Sequence, residues 1–475
     1  MKHLIIALLL IWGLFEIVGM ISRPKSEFHG RALARLIESP AHRFTEPYRN
    51  AYFYLLGFSC GTSFDPAKVG YDIWLENDET FAQQTFDYDK TGRSDLRIPL
   101  SLHQMVPSWD AEDPLTQFRN GASILRTGVD RHHVLMTRYD HLLGMPFEDW
   151  GFGRHATPHY QDLLVIHRLY IADGWSRSIK LGLERLSHEL VFWRTVLREA
   201  GPLATKVMAQ IVIQDDIKLL SKMLSTPIVD KTIVAPALQL TTPLTLSEYS
   251  LQWPIEHQLT LFGHVEHSRI IREGEPADAI DHELEWLSEA AHLPSDAFKR
   301  IEHPTRRSVF NALNGEQTQE IYAAYYEALI KASNTGTNSL PKLHDIARTM
   351  RRGIVETLLG PTLIEPQWDV FYYHLMETDA RLRLTSLQIQ LRRPSAMIAI
   401  PTRLAQVGSQ YFDPFTGLPM LWSPTQQKLY SVGKDRLDDG GDPSFDITVP
   451  AVIGSQRNVS NSLSSSSTIK KVSCL

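Results

Sequence analysis

The chain has 475 residues, enough for about three folded domains, and 43% of them are hydrophobic, which indicates a globular core and excludes a disordered or collagen-like protein. The 48 basic and 54 acidic residues leave a net charge of −6, and no stretch concentrates Lys and Arg, so nucleic acid is not an expected partner. Two cysteines, Cys60 and Cys474, are too few for a disulfide framework or for a zinc site built from paired thiolates.

A run of eighteen residues near the N-terminus, residues 4–21, is apolar except for Glu16. A helix of this length would be about 27 Å long, close to the thickness of the hydrocarbon core of a bilayer. A cleaved signal peptide is the alternative, but the small residues that its cleavage site requires are missing. We therefore expect residues 1–22 to be an uncleaved, single-pass anchor in a bacterial inner membrane, with the body on the periplasmic side.

Residues 23–155 have the pattern of short helices joined by long loops, because prolines and polar turns interrupt every longer hydrophobic period. Two of these turns are predicted at residues 77–80 and 87–95. The region is therefore expected to be irregular and mostly helical.

A serine motif lies in this region. Residues 57–61 read Gly-Phe-Ser-Cys-Gly and match the nucleophile elbow of α/β-hydrolases, with residues 52–56 as its candidate strand. The elbow requires a helix directly after the serine and several strands before it, and only about 35 residues separate it from the anchor. We therefore predict that Ser59 is not a nucleophile and that Cys60 is packed in a buried turn.

Apolar residues then recur every three or four positions, which predicts an amphipathic helix of about six turns. The members of this stripe are Ile179, Leu183, Leu186, Leu190, Trp193 and Leu197. Similar stripes on both sides of it, and again at 321–329 and 346–358, predict a body of antiparallel helices from 156 to 365. Residues 226–260 are rich in Thr, Pro and Leu without such a stripe, and we expect a non-helical crossing segment there.

The nineteen histidines raise the question of a metal site. Two groupings stand out along the chain: His257, His264 and His267 with Glu266, and His155 with His159 and His167. The sequence contains no H-E-x-x-H motif, and the spacing fixes no third ligand. Surface or capping roles are therefore expected for these histidines.

The segment 366–450 combines a helix, a turn and a hairpin in a specific order. The turn reads Asp-Pro-Phe-Thr-Gly-Leu-Pro at 413–419, and the strand after it is centred on Leu421 and Trp422. A second strand reads Leu-Tyr-Ser-Val-Gly at 429–433, and an acidic, glycine-rich stretch leads from it to Asp446 and Ile447. A small α+β hairpin module is the expected structure.

These three motifs, in this order, resemble the C-terminal part of the major pseudopilins of type II secretion systems. The resemblance covers about 70 residues of the chain. It implies that the acidic loop binds calcium through aspartates and backbone carbonyls, and the matching aspartates are Asp435 and Asp446. The glycine that follows the first aspartate in that family is Arg436 here.

The rest of the chain departs from that family. A pilin has a basic leader that is cut before its hydrophobic helix and a glutamate at the fifth mature position. Here Gly13 lies inside the apolar run, and Glu16 follows it by only three residues. Roughly 350 residues also separate this helix from the start of the module, so assembly into a pseudopilus is not expected.

The expected fold is therefore mainly α, with an antiparallel helical body and the small hairpin module. Its divisions are an anchor at 1–22, an irregular region at 23–155, a helical body at 156–365, the module at 366–450 and a disordered tail at 451–475. The favoured function is a non-enzymatic interaction or scaffold role, with residues 4–21 in the membrane and protein partners on the helical body. The alternative is a membrane-anchored hydrolase whose catalytic residues are scattered along the chain.

Overall fold

The computed structural model describes residues 46–80, 113–148, 158–225, 231–257, 328–334, 368–392 and 398–450, with the single positions 96, 98, 109 and 111. The predicted anchor, the turn at 87–95, the stripe at 346–358 and the tail lie outside these residues.

The described part of the chain is mainly helical, as the sequence predicts. The helices are α1 (Ala51–Leu56), α2 (Pro66–Thr80), α3 (Pro114–Asn120), α4 (Ala122–Arg131), α5 (His133–Leu143), α6 (Tyr160–Arg177), α7 (Ile179–Glu199), α8 (Leu203–Ser225), α9 (Lys231–Leu240), α10 (Leu246–Tyr249), α11 (Trp368–Leu391) and α12 (Ile400–Gln406). Residues 252–257 and 328–333 are also helical. None of the helices in the described ranges is long and apolar enough to cross a membrane.

A small antiparallel sheet follows the helices. Its three strands, β1 (Leu421–Ser423), β2 (Lys428–Ser431) and β3 (Ile447–Val449), lie side by side in chain order. Trp422 pairs with Leu429 across the β1–β2 hairpin, and Tyr430 pairs with Thr448 across β2 and β3. The hairpin matches the prediction, and β3 adds a third strand on its far side.

Two compact units divide the described residues, and each is built from segments that are far apart in the chain. The first unit lies within Met1–Pro107, Phe118–Gln214 and Leu244–Met376. The second lies within Ser108–Gln117, Asp215–Pro243 and Glu377–Leu475, and it contains the sheet.

Two glycines allow the backbones of α1 and α2 to touch in the first unit. A Cβ atom on Gly70 would lie 1.8 Å from the carbonyl oxygen of Phe53, and one on Gly57 would lie 2.0 Å from that of Pro66. No larger residue fits at either position without a backbone shift. Phe53 then packs edge-on against Trp74, with ring centroids 5.6 Å apart.

The turn predicted at residues 77–80 is wrong, because these residues are the last turn of α2. Asn and Asp disfavour a helix only weakly, so the helix that Pro66 begins continues through them. Residues 52–56, the candidate strand of the nucleophile elbow, lie in α1. The side chain of Asn50 caps that helix by accepting a hydrogen bond from the backbone N–H of Tyr52 at 3.0 Å.

The stripe predicted at 179–197 is helix α7, which packs antiparallel against α6. A Cβ on Gly174 would lie 3.3 Å from the Cα of Gly182, near the connection between the helices. Further from the connection, Nδ1 of His167 lies 2.8 Å from Oε2 of Glu189. The contacting residue number thus decreases along α6 as it increases along α7, as expected for antiparallel helices. Five of the six stripe residues are buried: Leu183, Leu186, Leu190, Trp193 and Leu197.

The non-helical crossing segment predicted at 226–260 is wrong for the part that the structure describes. Residues Lys231–Leu240 form α9 although Pro236 lies inside it, at the cost of one backbone hydrogen bond. α10 begins with a capping box, in which Thr245 accepts from the backbone N–H of Glu248 and the Glu248 carboxylate accepts from that of Thr245. These helices are too short to show a long apolar stripe.

Lys206 is fully buried in the first unit, near the C-terminal end of α7. Its ammonium donates hydrogen bonds to the carbonyl oxygen of Leu197 and, at 3.0 Å, to that of Glu248. Burial lowers the pKa of Lys206 to about 7, although the negative charges of Glu248 and Glu199 oppose the shift. Arg194 holds the Glu248 carboxylate with two hydrogen bonds of 2.6 and 2.9 Å. This cluster connects α7, α8 and α10.

The buried lysine predicts how stability depends on pH. Between about pH 7 and pH 9 the unfolded chain keeps the Lys206 proton while the folded chain loses it, so the free energy of unfolding should rise with pH. We expect a rise of about 2 kcal/mol in the native chain relative to Lys206→Met. Chemical denaturation at several pH values measures the difference. Equal slopes for the two proteins would show that Lys206 is charged in the fold at pH 9.

Candidate cation site in the C-terminal module

The buried carboxylate of Asp413 holds the turn at 413–419 in the second unit. Its Oδ1 accepts a hydrogen bond from the backbone N–H of Phe415 at 2.8 Å, and its Oδ2 accepts one from Val432 at 3.2 Å. Burial raises the pKa of Asp413, and these hydrogen bonds oppose the rise. Asp413 thereby fastens the predicted turn to the end of β2, where the acidic loop begins.

The acidic loop, residues 432–446, connects β2 to β3, and the pairing of Ser431 with Ile447 closes it. Its glycines at 433, 440 and 441 have φ angles of 68°, 72° and 85°. Arg436 also has a positive φ, 61°, in the left-handed region that glycine adopts with little strain. Arg436 therefore holds a glycine-like backbone conformation at the position where the pseudopilin pattern has glycine.

Asp446 is the buried carboxylate of this loop, with 4% of its surface exposed. Its Oδ2 accepts a hydrogen bond from the backbone N–H of Gly441 at 2.8 Å. Its Oδ1 has no hydrogen-bond partner among the described residues. Burial raises the pKa of Asp446, and the negative charges of Asp439 and Asp438 raise it further. A buried, unsatisfied carboxylate oxygen is costly unless a cation or a proton compensates it.

Two neighbouring carboxylates of the loop thus interact with Asp446. Asp438 is exposed, and its Oδ1 accepts hydrogen bonds from the Tyr430 hydroxyl and from the backbone N–H of Gly440, both at 2.9 Å. Asp439 is also exposed. The sequence pattern includes both residues in its acidic stretch but names neither as a ligand, because their interaction with Asp446 depends on how the loop folds.

Asp435 and Asp446 are the two aspartates predicted as ligands, and the structure gives them different surroundings. Asp435 is exposed, and its Oδ1 accepts a hydrogen bond from the backbone N–H of Leu437 at 3.1 Å, a local turn within the loop. Asp446 is buried at the other end of the loop. The proposed roles of the two residues as calcium ligands stay predictions.

The donors of this loop fit a hard cation. Carboxylate and carbonyl oxygens are the ligands that calcium prefers, in sets of about six to eight at roughly 2.3 to 2.6 Å. The loop has a net charge of −3, from five aspartates against Lys434 and Arg436. Sulfur and imidazole donors are absent from residues 432–446, so softer transition metals fit less well.

The serine motif of the first unit is a buried turn. The Ser59 hydroxyl donates to Oδ2 of Asp162 at 3.4 Å, so its partner is a carboxylate and not the histidine of a serine hydrolase. The guanidinium of Arg138 donates to three carbonyl oxygens of the turn. They belong to Phe58, Cys60 and Gly61. Cys60 is fully buried, as predicted, and burial raises the pKa of its thiol.

The described members of the two predicted histidine groups have different surroundings. His167 pairs with Glu189 on the neighbouring helix, and both side chains are fully buried. The two residues are 22 positions apart, so no local spacing could have revealed the pair. His257 is buried as well. His155, His264, Glu266 and His267 lie outside the described residues.

No family model matches the chain, and no curated protein or solved structure shows significant similarity to it. The case for a cation site therefore depends on the residues of the loop, on the three sequence motifs and on the backbone conformation of Arg436.

The turn around Ser59 also generates a prediction. Replacing Arg138 by Met removes the donor to the carbonyl oxygens of Phe58 and Cys60, while that of Gly61 keeps a backbone donor, and should lower the free energy of unfolding by about 3 kcal/mol. Ser59→Ala, which removes one long hydrogen bond, should lower it by about 1 kcal/mol or less. Denaturant unfolding compares the two variants. Labelling of the native chain by a fluorophosphonate, lost in Ser59→Ala, would contradict the structural role.

Arg436 generates another prediction. Arg436→Gly should raise the free energy of unfolding of the module by about 0.5 to 1 kcal/mol, because relief of the left-handed strain exceeds the added entropy of the unfolded chain. The matched control is Gly440→Ala, where φ is 72° and the added methyl group meets no atom within 4 Å. That change should destabilise by about 1 kcal/mol. Denaturation in EDTA measures both, and a destabilising Arg436→Gly would contradict the assigned conformation.

Proposed function

We propose that this chain is a non-enzymatic envelope protein whose C-terminal module binds a structural calcium ion. The observation that carries the proposal is the carboxylate of Asp446, which is 4% exposed and has one oxygen without a hydrogen bond among the described residues. A calcium ion at this oxygen would supply the missing interaction. It would also offset the repulsion between Asp446 and the neighbouring charges of Asp438 and Asp439.

The pseudopilin-like character of the module belongs to this proposal. The turn at 413–419, the strand through Tyr430 and the acidic loop carry the resemblance in sequence. The φ of 61° at Arg436 supports it, because glycine is the residue that adopts such a conformation most readily. The same loop in that family binds calcium, and the oxygen donors here agree with such a role.

The buried contacts inside the helical part support a scaffold role for it. Its buried polar groups hold helices and turns in place, as Lys206 does at the end of α7 and Arg138 does at the serine motif. The hydrolase alternative has no comparable support, because Ser59 is 3% exposed and its hydroxyl faces Asp162. We therefore propose that the helical part serves to dock protein partners.

The membrane anchor is the second part of the proposal. Its support is the apolar composition of residues 4–21, whose insertion is favoured by about 0.3 to 0.6 kcal/mol per large apolar residue. Glu16 opposes insertion by about 3 kcal/mol or less because it is displaced from the centre of the run. The sum of these insertion free energies favours a spanning helix. We place the body in the periplasm because a short basic N-terminus ahead of a large body usually leaves the body outside the cytoplasm.

Calcium binding is tested by isothermal titration of the full-length chain. The native protein should bind one calcium ion per chain, and saturation at 100 times the dissociation constant should stabilise the module by about 2.7 kcal/mol. Asp446→Asn should abolish the binding, since it removes the buried charge that the ion compensates.

The matched control is Asp442→Asn, which makes the same change of charge in the same loop. Asp442 accepts a hydrogen bond from the backbone N–H of Ser444 at 2.9 Å, and an asparagine oxygen can keep it. This variant should bind calcium within about threefold of the native chain. Absence of any calcium heat at millimolar concentration would refute the calcium site.

Protease added to spheroplasts tests the anchor and its orientation. The body of the full-length chain should be degraded while a cytoplasmic marker stays intact, because the proposal places the body outside the inner membrane. A body that resists until the membrane is lysed would reverse the orientation. Release of the whole chain by osmotic shock would show that residues 4–21 do not anchor it.

A further inference from the structure

We propose that Asp438 is a direct ligand of the cation held by Asp446, and that Tyr430 is the residue that positions Asp438. The inference rests on the proposed calcium site and goes beyond it, because the sequence pattern points to Asp435 as the partner of Asp446. Its basis is the set of contacts around Tyr430 in the sheet.

Tyr430 is held firmly by the sheet. It lies on the central strand, opposite Leu421 on one side and Thr448 on the other, and 5% of its surface is exposed. Its hydroxyl donates to Oδ1 of Asp438 at 2.9 Å. An exposed loop carboxylate is thereby connected to a rigid, buried ring.

The same ring supports the backbone that orients Asp446. A Cβ on Gly441 would lie 3.2 Å from Cδ1 of Tyr430, so the ring packs directly against this glycine. The N–H of Gly441 donates to Oδ2 of Asp446 at 2.8 Å. One side chain therefore contacts both the carboxylate of Asp438 and the backbone group that holds Asp446.

The hydrogen bonds of Asp438 leave one of its carboxylate oxygens able to bind a cation. The Tyr430 hydroxyl and the Gly440 N–H both donate to Oδ1, and neither uses Oδ2. A carboxylate has about four acceptor positions on its two oxygens, so Oδ2 can coordinate a cation while Oδ1 stays hydrogen-bonded. A ligand oriented in this way by a neighbouring donor is the usual arrangement around metal ions in proteins.

Asp435 lacks such support. Its Oδ1 accepts a hydrogen bond from Leu437 two residues further on, within the loop itself. The Asp438 carboxylate, in contrast, accepts a hydrogen bond from the hydroxyl of Tyr430 on β2. These contacts favour Asp438 over Asp435 as the second carboxylate of the site.

Terbium luminescence tests the inference on the full-length chain. Tb³⁺ takes oxygen ligands like those of Ca²⁺, and a nearby aromatic ring transfers excitation energy to it. Tyr430 should therefore sensitise terbium emission, which calcium should displace. Tyr430→Phe should remove most of this emission, whereas Tyr411→Phe, a tyrosine outside the loop, should leave it intact.

Calcium titration of variants at the proposed ligands and at Tyr430 is the second test of the inference. Asp438→Asn should weaken binding by more than about tenfold, and Tyr430→Phe by about tenfold, as for loss of a residue that orients a metal ligand. Asp435→Asn should weaken it by less than about threefold. Circular dichroism of each variant checks that the chain has folded.

The outcomes separate the two proposals. If Asp446→Asn abolishes binding but Asp438→Asn and Tyr430→Phe bind as the native chain does, the inference about Asp438 is wrong and the calcium site stands. If Asp435→Asn is the variant that loses binding, the ligand pair is that of the sequence pattern and the inference is also wrong. If the native chain binds neither ion, the calcium site itself is refuted.

Discussion

The pairing of β2 with β3 is the constraint on which the C-terminal module depends. It places Ser431 opposite Ile447 and so joins the two ends of a loop of five aspartates. Asp446 directly precedes the strand that closes the loop, and it is buried there with one oxygen unsatisfied by the described residues. The negative charges of Asp438 and Asp439 act on the buried Asp446 carboxyl within this closed loop. A bound cation, as we propose, would offset that repulsion.

Buried polar groups organise the first unit in a comparable way, but there the compensation lies within the chain. Arg138 is surrounded by the carbonyl oxygens of the serine-containing turn, and Lys206 by two carbonyl oxygens at helix ends. Each of these side chains has found its acceptors, as buried polar groups must. Asp446 is different, since the hydrogen bond from Gly441 satisfies only one of its two oxygens. This contrast makes the loop a better candidate for an external ligand than either buried cation.

Helices with a strong hydrophobic period were predictable from the sequence. Helices whose stability depends on capping and tertiary packing were not. The stripe from Ile179 to Leu197 predicts α7 because burial against a neighbouring helix demands that spacing. The helices within 226–260 were missed because they are short and contain Pro236, so their stability depends on capping and packing.

The candidate site was predictable in part. The sequence pattern located the loop and Asp446, but Asp438 became a candidate only when the fold placed it under the hydroxyl of Tyr430. Arg436 is the opposite case, since it departs from the pattern in sequence but has the positive φ that glycine adopts with least strain. Neither the contact of Asp438 with Tyr430 nor the φ angle of Arg436 follows from residue identity alone, because both depend on the path of the chain between β2 and β3.

Anomalous diffraction from crystals of the full-length chain grown with calcium would test directly whether Asp446 holds a calcium ion. An anomalous peak is expected at about 2.3 to 2.6 Å from Oδ1 of Asp446, inside the loop that β2 and β3 close. An ordered loop without such a peak at millimolar calcium, with the Asp446 carboxylate bonded only to backbone N–H groups of the loop, would show that no calcium binds there.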